Sequence, residues 1–314
     1  MISRKFIIWA CGLLFVFSSC AEDMVKPIEN DKDAPGTVQD VKTESLPGAV
    51  KFTYTLPSDP DLLYVLAKYT NKTGKVMEFR SSFYTNSVTV EGFGDTDTYK
   101  VELYTVDRSE NRSQPQIVEV APLTPPILSC YESLSVVSDF GGMTFEMDNK
   151  FKSDLAIYVC TPDELGDMVL AETFYSAREE IVYSVRGYDA VPRRFGIFLQ
   201  DKYGNETDTL FTELTPIYER ELDKTKFREM YLQNDSRVDS YDGKMEYVWN
   251  GRISKDGDSG GVGLHTGTGT KDGPAVFTFD LGVLAKLSRF ALWAIQDDKH
   301  FYNDMSPRRY EVWG

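Results

Sequence analysis

The stretch from Val50 to Asn205 sets out one ordered pattern twice. In the first copy, Val50-Lys-Phe-Thr-Tyr-Thr-Leu56 alternates apolar and polar residues and Asp61 to Tyr69 carries a second apolar run. Tyr99-Lys-Val-Glu-Leu-Tyr-Thr-Val106 then leads into Asp107-Arg-Ser-Glu-Asn111. In the second copy, Met143-Thr-Phe-Glu-Met147 is followed by Leu155-Ala-Ile-Tyr-Val159, then by Arg194-Phe-Gly-Ile-Phe-Leu199 and Asp201-Lys-Tyr-Gly-Asn205. Phe52 stands 93 positions before Phe145, and Asp107 stands 94 before Asp201. Period-two alternation sends successive side chains to opposite faces, so each run reads as a half-buried strand. A strand ending in D-x-x-x-N reads as a hairpin, because Asp and Asn tolerate left-handed backbone and bond their own turn. A repeat of about 90 residues suits one small β-sandwich per copy. Pro122, Pro125 and Pro126 stiffen the joint between them.

This layout resembles tandem fibronectin type III-like modules, expected over residues 35–121 and 122–216. Composition agrees: aromatics make up 13% of the chain, and its 23 Gly and 14 Pro are scattered. Long helical periodicity is nearly absent, which points to an all-β protein.

The alternation returns near the C-terminus. Ala275-Val-Phe-Thr-Phe-Asp-Leu-Gly282, Leu287-Ser-Arg-Phe-Ala-Leu-Trp-Ala-Ile295 and Pro307-Arg-Arg-Tyr-Glu-Val-Trp-Gly314 each read as a strand. Glu246-Tyr-Val-Trp-Asn-Gly251 and Gly263-Leu-His-Thr266 precede them. Leu222, Lys226 and Phe227 sit at roughly helical spacing in a charged lead-in, which reads as a short helix or turn. Taken in order, these motifs resemble the discoidin (coagulation-factor type C, galactose-binding-like) domain that ends surface lipoproteins of gut-bacterial polysaccharide-utilisation systems. The resemblance implies a third domain over 217–314, a jelly-roll β-sandwich. That domain ordinarily continues for several strands past the position of Gly314, so an incomplete sandwich is expected.

The N-terminus reads as an address. Met1-Ile-Ser-Arg-Lys is basic, Phe6 to Phe17 is apolar, and Phe17-Ser-Ser-Cys20 places small residues before a Cys. An apolar run of about a dozen residues is too short for a stable span, which needs about 20. The expectation is a signal peptide over 1–19, cleavage before Cys20 and lipidation of Cys20. Acyl chains would then hold the protein on a membrane, each buried CH₂ contributing about 0.8 kcal/mol. Residues 20–34 are charged and read as a tether. Ala21-Glu22-Asp23 resembles the acidic tag that sends such lipoproteins to the outer face of the outer membrane.

Charge narrows the partners. The chain has 34 basic and 49 acidic residues, a formal net charge of −15. Cleavage would remove Arg4 and Lys5 and leave −17. Such a field repels nucleic acid and polyanionic glycans. Chemistry narrows the function further. Only His265 and His300 are present, and no nucleophile elbow, HExxH, CxxC or P-loop occurs. No carboxylate pair stands out among the many Asp and Glu. A non-catalytic protein is expected.

Binding is the remaining chemistry. A sugar shows an apolar C–H face beside hydroxyls, so its sites combine aromatic platforms with planar polar groups. The candidates are Trp293 and the loop residues His300, Phe301, Tyr302 and Asn303, with His265 nearby in the resembled fold. Trp293 also fits a core role in its alternating run, and Phe301 or Tyr302 could plug the sandwich. Trp249 reads as core. Many discoidin-like domains hold a structural calcium in an early Asp-Gly loop. Here Asn250 stands where the family has Asp, which weakens that site, although Asp256 and Asp258 could substitute. No other cofactor is implied. Leu264 replaces the family's aromatic before His-Thr, and Ala-Ile-Gln-Asp-Asp follows Leu292-Trp293 in place of its short polar segment. Cys130 and Cys160 could pair outside the cytoplasm or remain small core thiols. Asn71, Asn111, Asn205 and Asn234 begin N-x-S/T triplets, which in a bacterial lipoprotein are expected to carry no glycan. The expected partners are a glycan, a membrane through the lipid anchor, and an outer-membrane transporter complex. The alternative is a structural spacer or protein–protein adaptor in such a complex.

Overall fold

The computed structural model describes residues 32–238, 243–253, 263–264, 274–293 and 309–314. The first sandwich consists of β1 (Gln39–Leu46), β2 (Ala49–Thr55), β3 (Leu62–Thr70), β4 (Val76–Ser82), β5 (Ser87–Glu91), β6 (Tyr99–Asp107) and β7 (Gln116–Val120). One sheet runs β1-β2-β5 and the other β4-β3-β6-β7. Three strands facing four in this order make a fibronectin type III-like sandwich. The inward positions fill one continuous core of Val50, Phe52, Val65, Ala67, Val90, Val101 and Leu103, all fully buried. Tyr69 stacks on Phe93 at 4.4 Å and meets Tyr99 edge-on at 5.9 Å, which closes one end of that core.

A short helix, α1 (Pro126–Glu132), opens the second copy. Pro126 suits its start, since the first helical N–H has no intrahelical partner in any case. Then come β8 (Ser135–Asp139), β9 (Gly142–Asp148), β10 (Leu155–Pro162), β11 (Met168–Ser176), β12 (Glu180–Arg186), β13 (Arg193–Asp201) and β14 (Leu210–Leu214). Their sheets run β12-β9-β8 and β11-β10-β13-β14, the same three-plus-four order. β2 and β9 share one residue-by-residue burial pattern, so Phe52 and Phe145 hold equivalent core positions.

The repeated turn is built identically in both copies. Asp107 Oδ1 accepts the backbone N–H of Ser109 and of Asn111, both at 2.8 Å, while Asn111 Nδ2 donates to Asp107 Oδ2 at 2.9 Å. Asp201 Oδ1 accepts the N–H of Tyr203 and of Asn205, both at 2.9 Å, and Asn205 Nδ2 donates to Asp201 Oδ2 at 2.8 Å. Three of the four N-x-S/T asparagines are accounted for by turn chemistry. Asn111 and Asn205 close these hairpins, and Asn71 Oδ1 accepts the N–H of Thr73 and Lys75 in the β3–β4 turn.

The two sandwiches meet through that second turn. Asn205 Nδ2 donates to the carbonyl of Gly92 at 3.1 Å, and the Tyr203 hydroxyl donates to the Glu91 carboxylate. Gly92 has φ +83°, and a Cβ there would lie 2.8 Å from the Tyr203 ring. Only glycine allows both that backbone and that approach.

Tyr69, Tyr99 and Tyr203 hold their protons more tightly than an ordinary phenol, chiefly because burial penalises the phenolate. A group whose folded pKa is raised contributes stability that is present below its unfolded value, about 10 for tyrosine, and lost as pH climbs through the folded value. Urea midpoints are therefore expected to hold up to about pH 9 and fall steeply above pH 10. Phenolate absorbance at 295 nm should lag behind that of free tyrosine. Simple titration near pH 10 with an unchanged midpoint would contradict this.

After Thr215 the described residues carry less regular structure. The lead-in forms a 3₁₀ turn at Lys224–Lys226, capped by Asp223, whose carboxylate accepts the Thr225 N–H at 3.1 Å. β15 (Arg228–Met230) pairs antiparallel with β16 (Thr278–Asp280). The strand expected over 275–282 is thus confined to its centre. The runs expected as strands near Leu287 and Tyr310 are not strands among the described residues, and Leu287, Phe290 and Leu292 are exposed. Alternation marks the capacity to pair. A strand forms only when a neighbour takes its N–H and C=O groups, and no described segment does so here.

Candidate functional site

Phe227, Trp249 and Phe279 build the small core of the C-terminal segment. The Trp249 ring lies 5.7 Å from Phe227, edge-on, and 5.2 Å from Phe279. Trp249 is therefore a packing residue, as expected from sequence. Met245, in the 3₁₀ turn Met245–Val248, is fully buried.

Trp293 is placed differently. It is 60% exposed among the described residues. The chain leading to it is pinned by Glu219. This carboxylate accepts from Ser288 Oγ at 3.1 Å and from Arg289 Nη2 at 2.5 Å. Arg186, at the end of β12, donates Nη1 to Glu219 at 3.4 Å and to the Phe140 carbonyl at 3.0 Å, and Nη2 to Asp139 at 2.8 Å. Lys286 sits 5.5 Å from the centre of the Phe140 ring, within cation–π range. Two arginines on one half-buried carboxylate make a charge-assisted node that fixes where residues 286–289 emerge. Sequence reading missed this node, because Asp139, Arg186, Glu219 and Arg289 are far apart in the chain and belong to no motif.

The remaining ligand candidates, His265, His300, Phe301, Tyr302 and Asn303, lie outside the described residues, as do Asp256, Asp258 and Cys20. Among the described residues no group of three or more His, Cys, Asp or Glu could hold a metal ion. Phe290 and Tyr310 approach at 5.7 Å, and Trp313 is 85% exposed. The C-terminal segment thus presents several aromatic rings to solvent, the surface character that stacking on a sugar requires.

Cys130 and Cys160 are free thiols in different elements, α1 and β10. Cys130 is buried and donates weakly to Asn149 Oδ1 at 3.6 Å. Burial, aided by Asp148, pushes its thiol up to about 11, so the reactive thiolate is scarce at neutral pH. The hollow beside it, lined by Ser129, Cys130, Ser133, Asp148, Lys150 and Phe151, encloses about 60 Å³. That holds a few waters and is far below the size of a small-molecule site.

Three family models match the chain. Residues 35–122 match DUF4959 and residues 123–225 match DUF5126, both domains of unknown function. Residues 249–314 match DUF5000, also a domain of unknown function. No curated protein matches the sequence. Among solved structures, a SusE-like protein is 29% identical over 52% of this chain and 57% of its own, with a TM-score of 0.33. The alignment therefore spans little more than half of that protein. A two-domain fibronectin type III segment of chicken tenascin is 12% identical over 57% of this chain and 99% of its own, with a TM-score of 0.28. The fibronectin type III domain of the human collagen alpha-1(XX) chain is 14% identical over 31% of this chain and 93% of its own, with a TM-score of 0.26.

Proposed function

We propose that this chain is a non-catalytic lipoprotein, anchored through Cys20 in the outer membrane and facing the cell exterior. In this reading it binds carbohydrate through its C-terminal, discoidin-like domain as part of a polysaccharide-utilisation system. The observation that carries the reading is the exposed indole of Trp293 on a segment held in place by the Glu219 node. A large rigid ring in solvent, backed by fixed chain, offers stacking area at low entropic cost. The lipoprotein-type N-terminus and the ordered C-terminal motifs supply the context. The structural calcium raised by the resemblance is not part of the proposal.

The test is calorimetric titration of the full chain with neutral oligosaccharides, repeated with Trp293→Ala. Loss of one stacking ring should weaken binding about three- to tenfold. Unchanged affinity would remove Trp293 from the site. Absence of heat with every sugar would favour the second reading, a spacer or adaptor. That reading draws on the joint at Tyr203, Asn205 and Gly92, which couples the sandwiches as a spacer requires.

A further inference from the structure

The outer faces of the two four-stranded sheets should match, since the copies share topology and register. They do not. In the first sandwich Lys68 pairs with Glu78 on one side and Glu102 on the other, a charged row of the kind that solvates a sheet. The corresponding row of the second is Leu170, Cys160 and Gly196. The next row of the first holds Leu66 with Arg80 and Tyr104. In the second it holds Tyr158 with Thr173 and Phe198. The second copy has replaced charge with apolar and aromatic groups on a face that water would otherwise cover.

The groups on that face are specific. Tyr158 and Phe198 stack with centroids 4.7 Å apart and planes 12° from parallel. Tyr175, which pairs with Ala156 at the β11 edge, is 74% exposed. The Tyr158 hydroxyl donates to Gln200 Oε1 at 3.1 Å, and Gln200 Nε2 donates to Glu206 Oε1 at 2.7 Å. An amide and a carboxylate in line beside aromatic rings retain further donor and acceptor capacity. At the opposite edge, Phe211 lies over Gly196, where a Cβ would meet its ring at 2.9 Å. Arg194 sits 4.0 Å from the centre of that ring.

We propose that the outer face of the β11-β10-β13-β14 sheet is a second carbohydrate-contact surface, taking a neutral glycan chain across Tyr175, Tyr158 and Phe198, with Gln200 and Glu206 bonding its hydroxyls. A pyranose supplies a C–H face for the rings and a rim of hydroxyls for the amide and carboxylate. A polyanionic glycan is disfavoured by Glu206 and by the net charge of −15. The proposal rests on the carbohydrate-binding reading but places the contact on a different part of the chain.

The experiment is affinity electrophoresis of the full chain in native gels containing galactomannan, xyloglucan or mixed-linkage β-glucan, with polygalacturonate as the charge control. Tyr175→Ala and Gln200→Ala are compared with Trp293→Ala. All three positions are solvent-accessible, and unchanged thermal unfolding confirms that each variant is folded. Retardation by at least one neutral polysaccharide is expected, with apparent affinity falling about three- to tenfold in Tyr175→Ala and in Gln200→Ala. Retardation that Trp293→Ala weakens and the other two leave alone overturns this surface and keeps the C-terminal site. The reverse result keeps this surface and overturns the C-terminal site. No retardation by any neutral polysaccharide, as a protein-docking face would give, also overturns the proposal.

Discussion

Phe145→Ala is expected to remove about 3–5 kcal/mol from the second sandwich, the usual cost of deleting a fully buried phenylalanine. Phe145 is completely buried on β9, 5.6 Å from Phe174 and 6.0 Å from Tyr183, which themselves stack at 4.4 Å. Removing the ring opens a cavity that two other aromatics cannot fill without breaking their own contact. Domain stabilities run about 5–15 kcal/mol, so much of the margin would go. Phe52→Ala should do the same to the first sandwich, because β2 repeats the burial pattern of β9. Urea unfolding followed by tryptophan-independent far-UV signal would show a lower midpoint for one phase in each variant. A loss under about 1 kcal/mol in either would mean that the core is not built around this pair of positions.

Asp201→Ala should cost about 2–4 kcal/mol, since hydrogen bonds to a charged group contribute more than neutral ones and the freed N–H groups lose their acceptor. Its second consequence separates it from Asp107→Ala. Both variants lose the same turn, with two backbone N–H bonds and one Asn amide bond each. Only Asp201 also orients Asn205 and Tyr203, which reach Gly92 and Glu91 in the first sandwich. Asp201→Ala should therefore speed proteolytic cleavage between the sandwiches, near Pro122, while Asp107→Ala should not. Equal cleavage rates would show that the turn does not couple them.

The duplicated turn explains why so much of the two sandwiches could be read from the chain. Asp107 and Asp201 act on neighbours two and four residues away, and Phe52 and Phe145 sit in strands whose alternation is local. Pairing partners are another matter. β3 lies between β4 and β6 because of contacts across the fold, and nothing in Leu62–Thr70 announces which strands flank it. The same limit explains the C-terminal segment. Its alternation near Leu287 is as clear as that of β2, yet it forms no strand in the described residues, because pairing depends on what lies alongside. The Glu219 node was illegible for the related reason that Arg186 and Arg289 converge on it from distant positions. The apolar outer face of the second sandwich was visible only once register placed Cys160 and Gly196 where the first copy has Lys68 and Glu102.

The most direct single measurement is the binding of fluorescently labelled neutral polysaccharide to intact cells displaying the chain. The account expects saturable binding to those cells. If Cys20 carries the proposed acyl anchor, Cys20→Ala is expected to lose that binding, with unchanged thermal unfolding of the purified variant as the folding control. Cells with and without the chain taking up the same label across the neutral polysaccharides, or Cys20→Ala binding as well as the parent, would contradict a lipid-anchored surface carbohydrate binder.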